Sequence, residues 1–329
     1  MKIKFLVIRF SSIGDIVLTS PVVRIIKNQI QNAEVHFVTK QKFACIVDSN
    51  PYIDKIHLFH HNLNELISEL QNENFDYIID LHQNYRSNRI KSRLKSTSFS
   101  FKKYNFQKFL LVNFKINYLP EKHIVDRYLD TLSVFDVKND YKGLNYFISD
   151  KEEFKKDELP VTFQNGYIAF VIAGTYLTKK LPVNRAVEIC NSIKFPVILL
   201  GGKSETEDGD EIISRTHGNV LNFAGKVTLS QSASLIKNSS IVLTNDTGLM
   251  HVAAAFRKKI LSFWGNTTPD FGMYPYLPHE DSKILEVKNL KCRPCSKLGK
   301  HKCPKKHFKC MNEIDNEEVR MWINNQFIR

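Results

Sequence analysis

The run Asn245-Asp246-Thr247-Gly248 follows an apolar stretch and precedes residues 249–256, which have the composition of a helix. A strand that feeds a polar turn and then a helix makes an anion site, because free backbone N–H groups and the helix dipole face whatever sits above the turn. Thr247 adds a hydroxyl donor, Gly248 a backbone N–H, and Asp246 a carboxylate able to orient the turn or meet a ribose or sugar hydroxyl. This chemistry suits a phosphate or diphosphate. His251 lies one turn into the helix, where a histidine serves equally as a buried structural donor or as a ligand. A second polar turn, Ser11-Ser12-Ile13-Gly14-Asp15, follows the apolar residues 5–10. It puts Asp15 at the carboxyl end of a first strand, where α/β sheets place ligands. There Asp15 can act as a general base toward a hydroxyl, or simply cap the helix that follows.

Other residues with useful chemistry fall in similar places. Thr175 ends an apolar run, and Lys179 and Lys180 follow it. Glu205 lies beyond another apolar run, where a carboxylate can hold a ribose, as in dinucleotide-binding folds. Gly202-Lys203-Ser204 looks like the end of a phosphate-binding Walker loop. That motif needs a glycine where Val197 stands, which excludes the ATPase reading. Four cysteines, Cys292, Cys295, Cys303 and Cys310, are spaced C-x2-C-x7-C-x6-C with His301 and His307 among them. They read either as a structural zinc site or as a plain cysteine-rich basic loop. Cys45 and Cys190 read as small core residues.

The elements that must position these groups alternate along the chain. Strand-like runs occur at residues 34–39, 77–81, 167–173, 197–202, 241–244 and 259–263, with helical patterns between them such as 183–193 and 229–237. Such alternation predicts an α/β fold with parallel sheets covered by helices on both faces. Pro21 either opens a helix behind Ser20 or bends one that starts near Gly14. The charged residues 149–160 are the expected linker, giving domains at 1–155 and 156–329, and residues 315–327 read as a terminal amphipathic helix. The chain has 329 residues, 43% of them hydrophobic, enough for real cores. No apolar run approaches a membrane span, and the first one is interrupted by Arg9 and Asp15, so a cytoplasmic protein is expected.

The net charge of +13 is uneven: residues 81–120 contain nine Lys or Arg and no Asp or Glu, with aromatic residues interleaved. Three readings compete. They are a solvated basic surface, a docking face for anionic lipid or glycolipid, and a nucleic-acid surface. No nucleic-acid motif accompanies the charge, so no nucleic-acid partner is expected.

Taken together, residues 5–27 (FLVIRFSSIGDIVLTSPVVRIIK) and 245–255 (NDTGLMHVAAA) resemble the opening and the nucleotide signature of glycosyltransferase family 9, the lipopolysaccharide heptosyltransferases. Lys179-Lys180-Leu181-Pro182 is similar to the family's K-x-W-P element, with Leu181 in place of Trp, and residues 201–205 to its GxxxE loop. The resemblance implies a GT-B fold, two Rossmann-like domains facing across a cleft, with the last helix crossing back to the first. It implies an inverting enzyme moving a heptose from ADP-heptose to an inner-core or lipid A-linked acceptor. Asp15 is then the base, with Ser12, Gly14, Arg86 and Arg89 on the acceptor side. Lys179, or Lys180 if the register shifts, binds the diphosphate with Thr175, Thr247 and Gly248. The implied partners are a nucleotide sugar, an anionic glycolipid and the inner face of the cytoplasmic membrane, with no cofactor needed for the chemistry. Alternatives are another nucleotide-sugar donor, or a non-catalytic basic Rossmann-like protein that binds anionic membrane or nucleic acid.

Overall fold

The computed structural model describes residues 2–327. The chain divides into two compact units, residues 1–103 with 122–147, and residues 104–121 with 148–329.

The first unit is built on a five-stranded sheet of β1 (Ile3–Ile8), β2 (Ala33–Lys40), β3 (Lys55–Phe59), β4 (Tyr77–Asp80) and β5 (Thr97–Ser100). The order is β3-β2-β1-β4-β5, and every pairing is parallel. Parallel strands buried on both faces read as continuous apolar runs, and Phe5, Leu6, Val7 and Ile8 of central β1 are all fully buried. Leu6, Ile8, Val38 and Ile78 pack on Leu66, Ile67 and Leu70 of helix α3 (Leu63–Gln71). Between β1 and β2 the chain forms two helices where the sequence allowed one. A short α1 (Ile13–Val17) stops at Leu18, and α2 (Ser20–Gln29) starts afresh with Pro21 in its first turn. That position needs no backbone N–H, so proline opens the second helix there at no hydrogen-bond cost. Helix α4 (Tyr85–Leu94) follows β4, its N-terminus closed by a reciprocal Asn84–Ser87 cap.

The second unit is a six-stranded sheet of β6 (Ile168–Val171), β7 (Val197–Leu200), β8 (Val220–Asn222), β9 (Ile241–Asn245), β10 (Lys259–Trp264) and β11 (Lys283–Glu286). The order is β11-β10-β9-β6-β7-β8, again wholly parallel. Its core joins Phe170, Leu199, Leu243 and Phe263 to the Val183–Ser192 helix and to the terminal Asn316–Phe327 helix. That terminal helix places Val319, Trp322 and Ile323 in this core, and the Trp322 indole donates to the Asp281 carbonyl at 2.9 Å.

Both sheets reverse their winding once. The reversal falls between β1 and β4 in the first unit and between β6 and β9 in the second. The loops leaving the carboxyl ends of such neighbours diverge to opposite faces and leave a crevice, the usual place for a ligand. Asp15 follows β1 in one unit, while Lys179 follows β6 and Asp246 follows β9 in the other.

Candidate functional site

At the reversal point of the second unit, Lys179 and the Asp246 turn meet. Residues 177–179 form a single tight turn after β6, which carries the Lys179 ammonium to 2.7 Å from the Asp246 carboxylate. The same carboxylate oxygen accepts from the Thr267 hydroxyl at 2.9 Å. Asn245 locks the two loops together: its amide donates to the Ala173 carbonyl at 3.1 Å and accepts the Leu181 N–H at 3.0 Å. Thr247 stands at the N-cap of the Gly248–Ala255 helix, but its hydroxyl makes no capping bond. That oxygen is buried and has no hydrogen-bond partner among the described residues, although buried polar groups are nearly always paired. A lysine, an unengaged hydroxyl and a fresh helix N-terminus thus converge on one spot. His251 is buried one turn further along the same helix.

The adjacent Lys180 points elsewhere. Its ammonium lies 2.7 Å from Glu205 and 3.2 Å from Asp208. Burial opposes the Lys180 charge, but the two carboxylates outweigh it and raise its pKa above the ordinary value. Glu205 is itself buried and folds the loop after β7, accepting the Gly202 N–H at 2.9 Å and the Ser204 hydroxyl at 2.8 Å. The fold needs a glycine just before it, because a Cβ on Gly201 would lie 2.8 Å from the Glu205 Cβ. The two lysines therefore divide the work, Lys179 to the Asp246 turn and Lys180 to Glu205. Thr175 lies exposed in the bend beyond β6.

In the first unit, Asp15 both caps and pairs. One carboxylate oxygen accepts the Ser12 N–H at 3.1 Å and the Ser12 hydroxyl at 2.7 Å. The other sits 2.5 Å from the Arg9 guanidinium. Arg9 is buried and also donates to the Tyr128 hydroxyl at 2.9 Å, the Ser11 carbonyl at 2.8 Å and the Leu81 carbonyl. Burial works against its charge, yet Asp15 and Tyr128 prevail and raise the Arg9 pKa. Gly14 is buried behind the turn, and Asp15 keeps about a fifth of its side chain open to solvent. A carboxylate held in place and partly open to solvent can serve as a general base.

Residues 63–306 match the family described as glycosyltransferase family 9 (heptosyltransferase). This chain belongs to glycosyltransferase family 9. It is 24% identical over 288 residues to a lipopolysaccharide heptosyltransferase 1 of Campylobacter coli, covering 80% of this chain and 84% of that one. Among solved structures it is similar to a family 9 glycosyltransferase of Veillonella parvula, at a TM-score of 0.80 and 20% identity over 100% of this chain and 98% of the other. It is also similar to the E. coli ADP-heptose heptosyltransferase II, at a TM-score of 0.74 and 19% identity over 99% of each chain. The GT-B fold class expected from the sequence is the class of these heptosyltransferases.

The remaining predicted residues of this glycosyltransferase scatter. Arg86 is exposed on α4, its guanidinium 5.3 Å from the centre of the Phe59 ring. Arg89 donates to the Asn64 side chain at 2.8 Å. Arg86 shares a groove with Lys40, Lys42, His60 and His61 at the carboxyl ends of β2 and β3, and no carboxylate lines it. These four partners lie in two stretches apart in the sequence and become one basic wall only when the parallel strands align. The four cysteines of the 292–310 segment are all thiols, and Cys292 Sγ lies 3.9 Å from His307 Nε2. Among the described residues, the one trio of potential metal ligands with donor atoms within 4.8 Å is His36, His57 and Glu73 instead. That trio is a polar network at the amino-terminal side of the first sheet, with Glu73 already held by Lys4 and Lys55.

Sequence reasoning also missed His82, Asn266 and Thr267, each just beyond a strand's carboxyl end. Asn266 is buried, and neither of its side-chain polar atoms has a hydrogen-bond partner among the described residues. His82 packs edge-on to Phe10, and burial, reinforced by Arg9 and Lys103, pushes its pKa down to about 4. In the unfolded chain it titrates near 6.5, so between these values the unfolded state binds the extra proton. The folded state should therefore weaken as pH falls from 6.5 toward 4, by about 2 kcal/mol after allowing for the ring's partial exposure. His82→Gln should flatten the melting temperature between pH 7 and pH 5. An unchanged slope would remove His82 as the cause.

Proposed function

We propose that this enzyme is an inverting glycosyltransferase that moves a heptose from ADP-heptose to an anionic lipopolysaccharide inner-core or lipid A-linked acceptor at the cytoplasmic face of the inner membrane. The observation that carries the reading is the Lys179–Asp246 pair beside the unpaired, buried Thr247 hydroxyl at a helix N-terminus. This is a cationic, donor-rich turn with one strong donor unused, as a diphosphate would need. A similar E. coli heptosyltransferase has been solved with ADP and with ADP-2-deoxy-2-fluoro heptose. In an inverting transfer the acceptor oxygen attacks the anomeric carbon as the bond to the diphosphate breaks on the opposite face. Lys179, the Thr247 hydroxyl and the Gly248 and Leu249 N–H groups take the charge that develops on the leaving diphosphate. They are fixed before the reaction starts, which is where such stabilisation is most effective. Asp15 takes the acceptor's proton. Glu205 shapes the loop after β7, and its remaining lone pairs can hold a ribose hydroxyl. The basic groove of Lys40, Lys42, His60, His61 and Arg86 suits the acceptor's phosphates and carboxylates.

A thermal-shift series with ADP, UDP, GDP and ADP-heptose tests the donor assignment. ADP should raise the melting point, since a ligand at 100 times its Kd stabilises the native state by about 2.7 kcal/mol. A response to UDP with none to ADP would remove the heptose donor. The cysteine segment braces the turn that carries Lys179, its Lys300 carbonyl accepting from the Thr178 hydroxyl at 3.0 Å. Were Cys292, Cys295, Cys303 and Cys310 to hold zinc, four thiolates would leave no open position for substrate, so the metal would be structural. Protein purified without added metal should then contain about one zinc per chain and lose melting temperature, not turnover per folded molecule, on chelation. Zinc near zero with four titratable thiols would leave a plain cysteine-rich loop.

A further inference from the structure

Helix α5 (Asn105–Phe114), part of the second unit, turns Leu111 and a lysine inward and three phenylalanines outward. It buries Lys108, which is 7% exposed, with its ammonium 5.7 Å from the centre of the Phe271 ring. On the outward side Phe106, Phe109 and Phe114 are 68%, 53% and 61% exposed. Ile116 and Tyr118 extend the apolar surface just past the helix, and no acidic residue occurs anywhere in 82–120. A helix usually turns its phenylalanines to the core and its lysine to water. The reversal places a contiguous aromatic patch in solvent, and such patches mark binding surfaces.

What lies beside the patch identifies the partner. Lys297 donates to Asn105 at 2.5 Å, and Lys115 donates to the Pro294 carbonyl at 2.6 Å, fastening α5 to the loop at 287–312. That loop carries nine Lys or Arg and no Asp or Glu, and Leu298 stands exposed within it. Lys297, Lys300, Lys302, Lys305 and Lys306 are all exposed. Aromatic rings projecting from a helix, flanked by many exposed cations and by one carboxylate, Asp270 against Asn117, match a bilayer interface of anionic phospholipid. Rings enter the headgroup and acyl boundary while lysines meet the phosphates. No helix of the described residues is long and apolar enough to cross a membrane, so attachment through such a face would be peripheral.

We infer that α5 and the 287–312 loop form a docking face for an anionic phospholipid surface. This deepens the proposed function, because an acceptor anchored in a bilayer is met at its surface, and it also gives the cysteine-rich loop a role. The test is flotation of the full chain with vesicles of phosphatidylcholine and phosphatidylglycerol in a ratio of about 7:3, with no acceptor present. Phe106→Gln/Phe109→Gln/Phe114→Gln should weaken partitioning at least about tenfold at both low and high salt, because ring insertion is not screened. Lys300→Gln/Lys302→Gln/Lys305→Gln should weaken it mainly at low salt. Both variants should keep the wild-type melting point and transfer to acceptor dispersed in detergent. Wild-type partitioning by the phenylalanine variant overturns the inference. So does loss of transfer to dispersed acceptor with vesicle binding intact, which would put the rings in the acceptor site. So does a wild-type dimer that the variant makes monomeric without vesicle binding in either, which would assign the face to a second copy. Vesicle binding that follows these rules in a chain inert toward ADP-heptose would support the docking face and reject the proposed donor.

Discussion

Asp15→Asn is expected to lower turnover by about 10²-fold or more while leaving the affinity for ADP unchanged, because a positioned base typically contributes 10²- to 10⁴-fold. The geometry sharpens the test, since Asp15 has two structural duties besides the proposed chemical one. It closes the turn through Ser12, and it pairs with buried Arg9. Asparagine can still accept from Ser12, but it leaves the Arg9 guanidinium without its anion. Removing one partner of a buried pair is strongly destabilising, and Asp15 is partly exposed, so about 1–3 kcal/mol of stability should go with it. A loss of turnover could then reflect a loosened turn. The pH profile separates the two. A base leaves an acidic limb in kcat/KM that disappears in the Asn variant, whereas a merely structural Asp15 lowers the whole profile and keeps its shape. Arg9→Lys is the companion variant: it loosens the same pair, keeps the carboxylate, and should retain the limb. Unchanged turnover in Asp15→Asn would end the assignment.

How much of this was visible beforehand depends on where each residue sits in its sheet. The central strands β1, β6, β7, β9 and β10 are buried on both faces, so they stand out as apolar runs, and the turns after them were found with them. The strands that went unread, β3, β5, β8 and β11, are the four edges of the two sheets. An edge strand is partly solvated and can carry polar residues, as in Thr-Ser-Phe-Ser of β5, so neither apolar content nor alternation marks it. The same limit applies to the sites. Motifs contiguous in sequence, such as Ser12 to Asp15 or Asn245 to Gly248, were legible. The groove of Lys40, His60 and Arg86 was not, because strand pairing alone assembles it. Nor could spacing tell that Lys108 faces inward and Phe106 outward on α5, since that depends on which side of the helix meets the 287–312 loop. Nor does the sequence tell that a tight turn aims Lys179 at Asp246 and the adjacent Lys180 at Glu205.

Lys179→Ala should weaken ADP binding by about 10- to 100-fold, more than the loss of one contact suggests. In the free protein the Lys179 ammonium neutralises Asp246 at 2.7 Å. Removing it deletes a cation from the diphosphate site and also exposes the arriving anion to an uncompensated carboxylate. The two effects can be divided by a double-mutant cycle, which isolates coupling between neighbouring groups. Asp246→Asn alone should change ADP affinity modestly. In the Lys179→Ala background it should recover several-fold, because only there does the carboxylate repel the ligand. Thr247→Ala supplies the contrasting case. Its hydroxyl makes no capping bond and has no partner among the described residues, so the melting point should barely move. ADP affinity should fall about tenfold, the lower end of what one hydrogen bond to a charged group contributes. A drop in melting point at constant ADP affinity would make the hydroxyl a structural group after all. Wild-type ADP affinity in Lys179→Ala would move the diphosphate away from the Asp246 turn. Lys180→Ala would not replace it as an explanation unless the Glu205 loop were lost as well, because that ammonium is committed to Glu205 and Asp208.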